Sequence, residues 1–338
     1  MMNSKLFWIV AWVAIVGLFV LNLLTGSVRI PSADVVEILI GENGQKESWR
    51  YIVLESRLPQ ALTALLCGGA LAVCGLLLQT AFRNPLAGPG IFGITNGAGL
   101  GVALVMLLLG GSISTELMHV SGFFAIITAA FTGAMFVTGI LFLFSTLLKN
   151  NVMLLIVGMM TGYLSSSAIA LLNYVATEEG VRSYMLWGMG SFGGVSMQLM
   201  PLFVLLFIVG VLGSFMLMKP LNALLLGDHY AENLGIHIRR ARQNLLVVTG
   251  LLCAVTTAFC GPIAFIGLAV PHIARLLIGT ENHRLLLPAT LLTGSVVALL
   301  CNWICMLPDE GTIPLNAVTP LVGAPVIIYV ILKEKVRE

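Results

Sequence analysis

The sequence predicts an all-α protein that crosses a membrane about ten times. Composition carries the first half of that expectation. Of 338 residues, 58% are hydrophobic and only 9% are charged, and the mean hydropathy is +1.02. A soluble domain needs roughly 25% charged residues to cover its surface, so the solvent for most of this surface is lipid. The second half comes from spacing. Apolar runs near the length that spans a bilayer, about 20 residues, lie at 6–24, 58–81, 91–109, 120–147, 152–176, 196–217, 242–260, 263–278, 285–306 and 314–332.

Several of these runs carry further signals. The first, Leu6 to Leu24, exceeds the roughly 7–15 apolar residues of a signal-peptide core. It is followed by Thr25-Gly26-Ser27-Val28-Arg29 rather than a small-residue cleavage pattern, which predicts a retained span. In the third run Gly93, Gly97 and Gly101 recur every four residues, the spacing that lets helix backbones approach closely. The fifth carries Gly158, Thr161, Gly162, Ser165, Ser166 and Ile169 at helical spacing. Two readings of that stripe stay open: the lining of an aqueous path, or a helix contact with hydroxyls bonded back to their own helix. The eighth run is short and holds Pro271.

The segment Arg182–Gly194, with Trp187, Met189 and Ser191, is too short and Gly-rich to span. It predicts irregular backbone at membrane depth, which is tolerated where it lines a cavity. Its Met and Trp side chains suit a bulky, partly apolar cargo.

Charge placement predicts orientation. An even span count puts both termini on one side, read as cytoplasmic. That side receives 12 of the 17 Lys and Arg, among them Lys5, Arg83, Lys149, Lys219, Arg239, Arg240, Arg242, Arg275, Arg284 and Arg337. Arg29, Lys46, Arg50, Arg57 and Arg182 fall outside, with 10 of the 15 acidic residues, including Glu178, Glu179, Asp309 and Glu310.

Two loops are long enough to fold. In the outer loop, 25–57, Ser32 or Asp34 is positioned to cap a short amphipathic helix over Ile30–Leu39. In the inner loop, 218–241, Gly227 and Gly235 punctuate two short helical stretches, and Leu226, Tyr230 and Leu234 recur every four residues. That apolar face either seats a partner or packs back on its own bundle.

Chemical motifs are scarce. No Gly-Lys pair exists to build a phosphate-binding loop, and no metalloprotease or nucleophile-elbow motif occurs. The six cysteines, Cys67, Cys74, Cys253, Cys260, Cys301 and Cys305, sit in apolar runs with no His or carboxylate at ligand spacing. They read as small lipid-compatible side chains. His272 reads as a structural hydrogen-bonder. The net charge of +2 excludes an electrostatic nucleic-acid footprint. No catalytic residue, cofactor or metal is expected. No carboxylate lies within a predicted span, so a proton-coupled mechanism lacks its usual groups and the driving energy is expected from outside the chain. A weak internal echo pairs Gly88-Pro89-Gly90-Ile91-Phe92-Gly93-Ile94 with Gly261-Pro262-Ile263-Ala264-Phe265-Ile266-Gly267-Leu268, placed on opposite sides as an inverted repeat would place it.

The chain resembles the iron-chelate and cobalamin ABC permeases of the FecCD type along nearly its whole length. The resemblance is carried by Arg57-Leu58-Pro59, the run Gln79–Gly101 with Arg83-Asn84-Pro85-Leu86-Ala87, and Leu226-Gly227-Asp228. It continues in Gly261–Leu268, Pro271-His272-Ile273-Ala274-Arg275 and Gly323-Ala324-Pro325.

The resemblance implies a ten-helix type II importer fold in one transmembrane domain, 1–338, in a bacterial cytoplasmic membrane. It further implies a homodimer, two cytosolic ATPase subunits, and a periplasmic or lipid-anchored binding protein. The 218–241 loop, with Leu226, Gly227, Asp228, Tyr230, Ala231, Leu234 and Gly235, is then the ATPase-coupling element. Gly158, Thr161, Gly162, Ser165, Ser166, Trp187, Met189 and Ser191 become the pathway and outer gate, and Arg57 a docking residue. Many relatives carry a second Arg where this chain has Gln60, and Arg50 is the expected substitute.

The expected cargo is an iron chelate, siderophore or haem, with cobalamin as the alternative. A self-sufficient secondary transporter is the rival of another class. A membrane scaffold without transport is the third, opposed by the lack of an appended output domain.

Overall fold

A computed structural model describes residues 4–42, 45–109, 112–114, 119–148, 151–308 and 311–335. Lys149, Asp309, Glu310 and Arg337, used above for orientation, lie outside them. Fifteen helices make up the described chain: α1 Ser4–Leu24, α2 Ser32–Ile40, α3 Glu47–Tyr51, α4 Leu58–Phe82, α5 Ile94–Ala103, α6 Phe123–Leu147, α7 Asn151–Val175, α8 Glu178–Gly188, α9 Met200–Met216, α10 Met218–Leu225, α11 Asp228–Asn233, α12 Ile238–Cys260, α13 Ile266–Ile278, α14 His283–Cys305 and α15 Leu315–Lys335. A π-helical turn, Ile52–Arg57, joins α3 to α4, and another, Leu104–Leu108, extends α5. The departure from an all-helical chain is a short antiparallel ribbon, Ser112–Ser114 against His119–Ser121.

Every predicted run is helical, but not every helix has the length of a crossing. Six do: Lys5–Leu24, Glu47–Phe82, Phe123–Leu147, Val152–Val175, Ile238–Cys260 and His283–Cys305. A seventh arises if α9 and α10, bent by 47°, count as one. Ile94–Leu108, Ile266–Ile278 and Leu315–Tyr329 are shorter apolar helices. By length and apolarity the described residues therefore supply six candidate crossings, or seven with the bent pair, and the other predicted runs form shorter apolar helices. At about 1.5 Å per residue, the 13 residues of α13 extend about 20 Å, well short of a bilayer core of about 30 Å.

The bundle is organised around α4, which packs against α9, α12, α13 and α14. Its buried face is built from small residues, Ala64, Gly68, Gly69, Ala72 and Gly75. A Cβ at Gly68 would lie 2.3 Å from the Gly294 carbonyl of α14, so the two backbones touch. Without water to squeeze out, close backbone packing is the main attraction between such helices. The glycine spacing predicted for α5 acts the same way: a Cβ at Gly101 would lie 2.1 Å from the Ala129 carbonyl of α6. Large apolar side chains instead point outward on α1, α6, α7 and α9, as with Val13, Phe136, Leu164 and Leu212.

α2 forms where expected but begins differently. Pro31 stands at its N-cap and no side chain caps it, so neither Ser32 nor Asp34 has the predicted role. The Pro31 carbonyl accepts from Val35 N (3.1 Å), and Val35 and Ile38 bury the inner face.

Candidate functional site

The two echoing segments meet. α4 ends at Arg83, in left-handed conformation (φ 46°), and the chain turns through Gly88–Gly93 into α5. α12 ends at Gly261 (φ 73°), and Pro262–Phe265 leads into α13. Both turns face one cavity of about 280 Å³, walled by Leu86, Pro89, Ile91 and Thr95 from the first and by Pro262 and Phe265 from the second. The two segments thus line one cavity together. The half-length of α13 brings one of them into the bundle's interior, which is permitted because it faces a cavity.

The α8 region corrects an expectation. Glu178–Gly188 is an amphipathic helix, not irregular backbone; Thr177 caps it by accepting from Gly180 N (3.2 Å). Irregular backbone is confined to the residues after it. Tyr184 and Trp187 stack at 6.0 Å, and burial pushes the Tyr184 phenol up from its ordinary pKa. Met189 is exposed. Ser191 Oγ accepts from Gly193 N (3.1 Å) and Ser191 N donates to the Cys260 carbonyl (2.9 Å).

Asn316, near the start of α15, was not singled out by motif or spacing. Its Nδ2 donates to the carbonyls of Gly188 (3.0 Å) and Pro262 (2.6 Å), and its Oδ1 accepts from Ala264 N (3.0 Å). The available signal was a lone amide in an otherwise apolar run.

The α7 stripe faces α5. A Cβ at Gly158 would lie 3.0 Å from Phe92 Cα, and one at Gly162 would lie 3.2 Å from Gly93 Cα. Thr161 and Ser165 donate back to the Val157 and Thr161 carbonyls (2.7 and 2.9 Å). Asn96 of α5 donates to the Gly162 carbonyl and to Ser166 Oγ, both at 3.1 Å. This edge is therefore a helix contact. Ser166 itself is exposed beside Tyr163 and Leu164.

The α10–α11 loop has two faces. Ala231 is fully buried with Ala223, Leu224 and Ile238, while Leu226, Tyr230 and Leu234 are more than half exposed, at 63%, 53% and 57%. The apolar face predicted from sequence does not pack back on the bundle. Gly227 (φ 117°) and Gly235 (φ 79°) make the turns on either side of α11. Asp228 lies 2.6 Å from Arg242 of α12 and 3.3 Å from Arg83, at a partly exposed position. Arg83 also donates to the Leu224 carbonyl (2.9 Å). Arg83 lies three residues before Leu86, where the cavity lining begins, so the loop is bonded to the chain that leads into the cavity wall. Close by, Arg275 donates to Gln79 Oε1 (2.7 Å), and a His272 ring nitrogen lies 2.9 Å from the Pro85 carbonyl, as its structural reading requires. His283 bridges Thr80 (2.9 Å) and Asn222 Oδ1 (3.0 Å). All six cysteines are buried thiols.

Arg57 and Arg50 diverge. Arg57 is buried and donates to the carbonyls of Leu23 (2.9 Å), Leu24 (3.2 Å) and Val28, so it closes the C-terminal end of α1 instead of facing outward. Arg50 is exposed. Gln60 also turns inward: it donates to Asn302 (3.0 Å), which donates to Asn22 (2.7 Å).

An apolar helical bundle with a partly open cavity and a clamped, apolar-faced loop beside it fits a membrane transport permease. The chain belongs to the FecCD transport family, whose sequence profile matches residues 14–333. It is 37% identical over 282 residues to the vitamin B12 import system permease protein BtuC of Salmonella typhimurium, covering 83% of each chain. The BtuC protein of Klebsiella pneumoniae is 35% identical over 319 residues, covering 94% of this chain and 90% of that one. Among solved structures, a metal-chelate type ABC transporter in an inward-facing conformation superposes with a TM-score of 0.84 at 29% identity, covering 98% of this chain and 100% of that one. The chain is accordingly a multi-pass permease of the ABC importer class.

Proposed function

We propose that the chain is the non-catalytic membrane subunit of an ATP-driven importer for a bulky metal chelate, and that the chelate is a corrinoid. The carrying observation is the α10–α11 loop, which offers Leu226, Tyr230 and Leu234 to a partner while Asp228 ties it through Arg83 to the chain that leads into the cavity wall. An exposed apolar face of that kind needs a protein partner. A cytosolic ATPase subunit seated there would move the loop, and with it the turn that lines the cavity. The permease supplies differential contacts and the ATPase supplies free energy.

The corrinoid reading is supported by the 35–38% identity to vitamin B12 permeases. An iron chelate is the second reading, supported by the likeness to a metal-chelate type transporter. A homodimer is supported by the exposed apolar face of α7, including Met160, Tyr163, Leu164 and Leu171; with Trp187 of α8 and the following Met189 and Ser191, that face would border a shared pathway. One continuous core through most helices supports a single domain, 1–338, with 218–241 as its coupling loop. Positive charge on the α10–α11 side supports a bacterial cytoplasmic membrane with both termini inside. A binding protein would dock on the opposite face near Arg50.

Reconstitution in liposomes with the candidate ATPase and binding protein tests this. Labelled cobalamin, haem and a ferric siderophore are offered, with an ATPase lacking its phosphate-binding lysine as control. Entry of cobalamin with the active ATPase alone is the expected result. Uptake that survives the dead ATPase restores the secondary-transporter reading.

A further inference from the structure

Asn316 occupies a place that a permease has to control. As the second residue of α15, its backbone N–H lies in the first turn, where no intrahelical acceptor exists. That N–H donates to the Met189 carbonyl (3.1 Å). The side chain adds three bonds, to Gly188 O, Pro262 O and Ala264 N. One residue thus holds two irregular segments together: the exit of α8 and the break between α12 and α13.

The segments are in backbone contact as well. Gly190 (φ 70°) and Gly261 (φ 73°) are both left-handed, and a Cβ at Gly261 would sit 2.5 Å from the Trp187 carbonyl. Asn316 lines the cavity together with Pro262–Phe265. If its amide left, the Pro262 carbonyl would face a mostly apolar cavity without that donor, which is costly, and the part-buried Gly188 carbonyl would lose its bond to the amide. Asparagine alone fits this geometry. Aspartate keeps the acceptor for Ala264 N but lacks both donors, leucine has neither, and glutamine is one methylene too long.

We propose that Asn316 is a positioning residue that holds the Trp187–Ser191 segment closed against the α12–α13 break, and that its release precedes opening of the cavity on that side. The proposal rests on the permease reading for its purpose and on hydrogen-bond geometry for its substance.

The test uses spheroplasts expressing the whole transporter, with Thr95→Cys as a reporter in the cavity wall and a membrane-impermeant maleimide added outside. The parent, retaining its six buried cysteines, gives the background. Adding Asn316→Asp should raise the labelling rate of Thr95→Cys about tenfold, and Asn316→Leu should raise it further. Cys74 of α4, buried against Thr249 of α12, should stay unlabelled. An unchanged rate overturns the proposal, and so does Cys74 labelling that rises in parallel, since that is general loosening. If the unmodified chain fails to import any chelate in liposomes while the labelling difference persists, the permease reading falls and the latch stands.

Discussion

Arg57 separates two accounts of one residue. In the docking account its charge meets the binding protein. In the structure its guanidinium sits on the last carbonyls of α1, with Gly26 leaving room for it: a Cβ at Gly26 would lie 3.0 Å from Arg57 Nε. Arg57→Met keeps the aliphatic stem and removes every bond to Leu23, Leu24 and Val28. A hydrogen bond to a charged group contributes about 1.5–3 kcal/mol. The bond to Leu23 is buried, whereas those to Leu24 and Val28 are partly exposed, where water replaces the lost donor. One full contribution and two reduced ones give a loss of about 2–4 kcal/mol. Thermal unfolding of the purified protein in detergent should show the midpoint falling by about 4–10 °C. Capture of the binding protein by the surviving folded fraction should be unchanged. Arg50→Glu, at an exposed position, should weaken capture. A variant at Arg57 that melts like the parent yet binds several-fold more weakly refutes the capping argument and returns the residue to the docking surface.

Glutamate at Leu226, Tyr230 and Leu234 together should abolish co-purification of the ATPase while leaving the melting point within about 1 °C, because all three are solvent-facing; a large drop in stability means the face packs on the bundle. Asp228→Asn should leave the complex assembled and uncouple it, so that ATP hydrolysis continues while liposome uptake falls at least about tenfold, or 1.4 kcal/mol; parallel losses of both activities argue against a transmission role. Gly75→Val should prevent folding, since a Cβ there would lie 1.6 Å from the Gly267 carbonyl and backbone has no rotamer with which to yield; normal yield of monodisperse protein contradicts that contact.

Residues whose behaviour follows from their immediate neighbours were legible in advance. Each apolar run became a helix because any backbone polar group at membrane depth needs an internal partner, and helix supplies it locally. The α10 and α11 pair was readable because Gly227 and Gly235 bracket it and the four-residue repeat of Leu226, Tyr230 and Leu234 sets its outer face. The glycine ladder of α5 was readable because small residues at that interval have little other use in a helix.

Side chains whose partners lie far along the chain were not. Nothing near Asp228 announces that Arg83, 145 positions away, will hold it. Nothing near Arg57 marks the carbonyl of Leu23, 34 positions back. Asn316 depends on Ala264, 52 positions earlier, and Gln79 on Leu268, 189 positions later. The α8 segment was read as irregular from its shortness and its glycines, although Thr177 and the acidic first turn, Glu178 and Glu179, start a helix there. Local composition therefore settled which segments form apolar helices, since transfer into lipid acts on each segment separately. Which polar groups serve as caps, clamps and latches was decided only when packing brought distant donors and acceptors within hydrogen-bond reach, since a hydrogen bond depends on a geometry that no local pattern encodes.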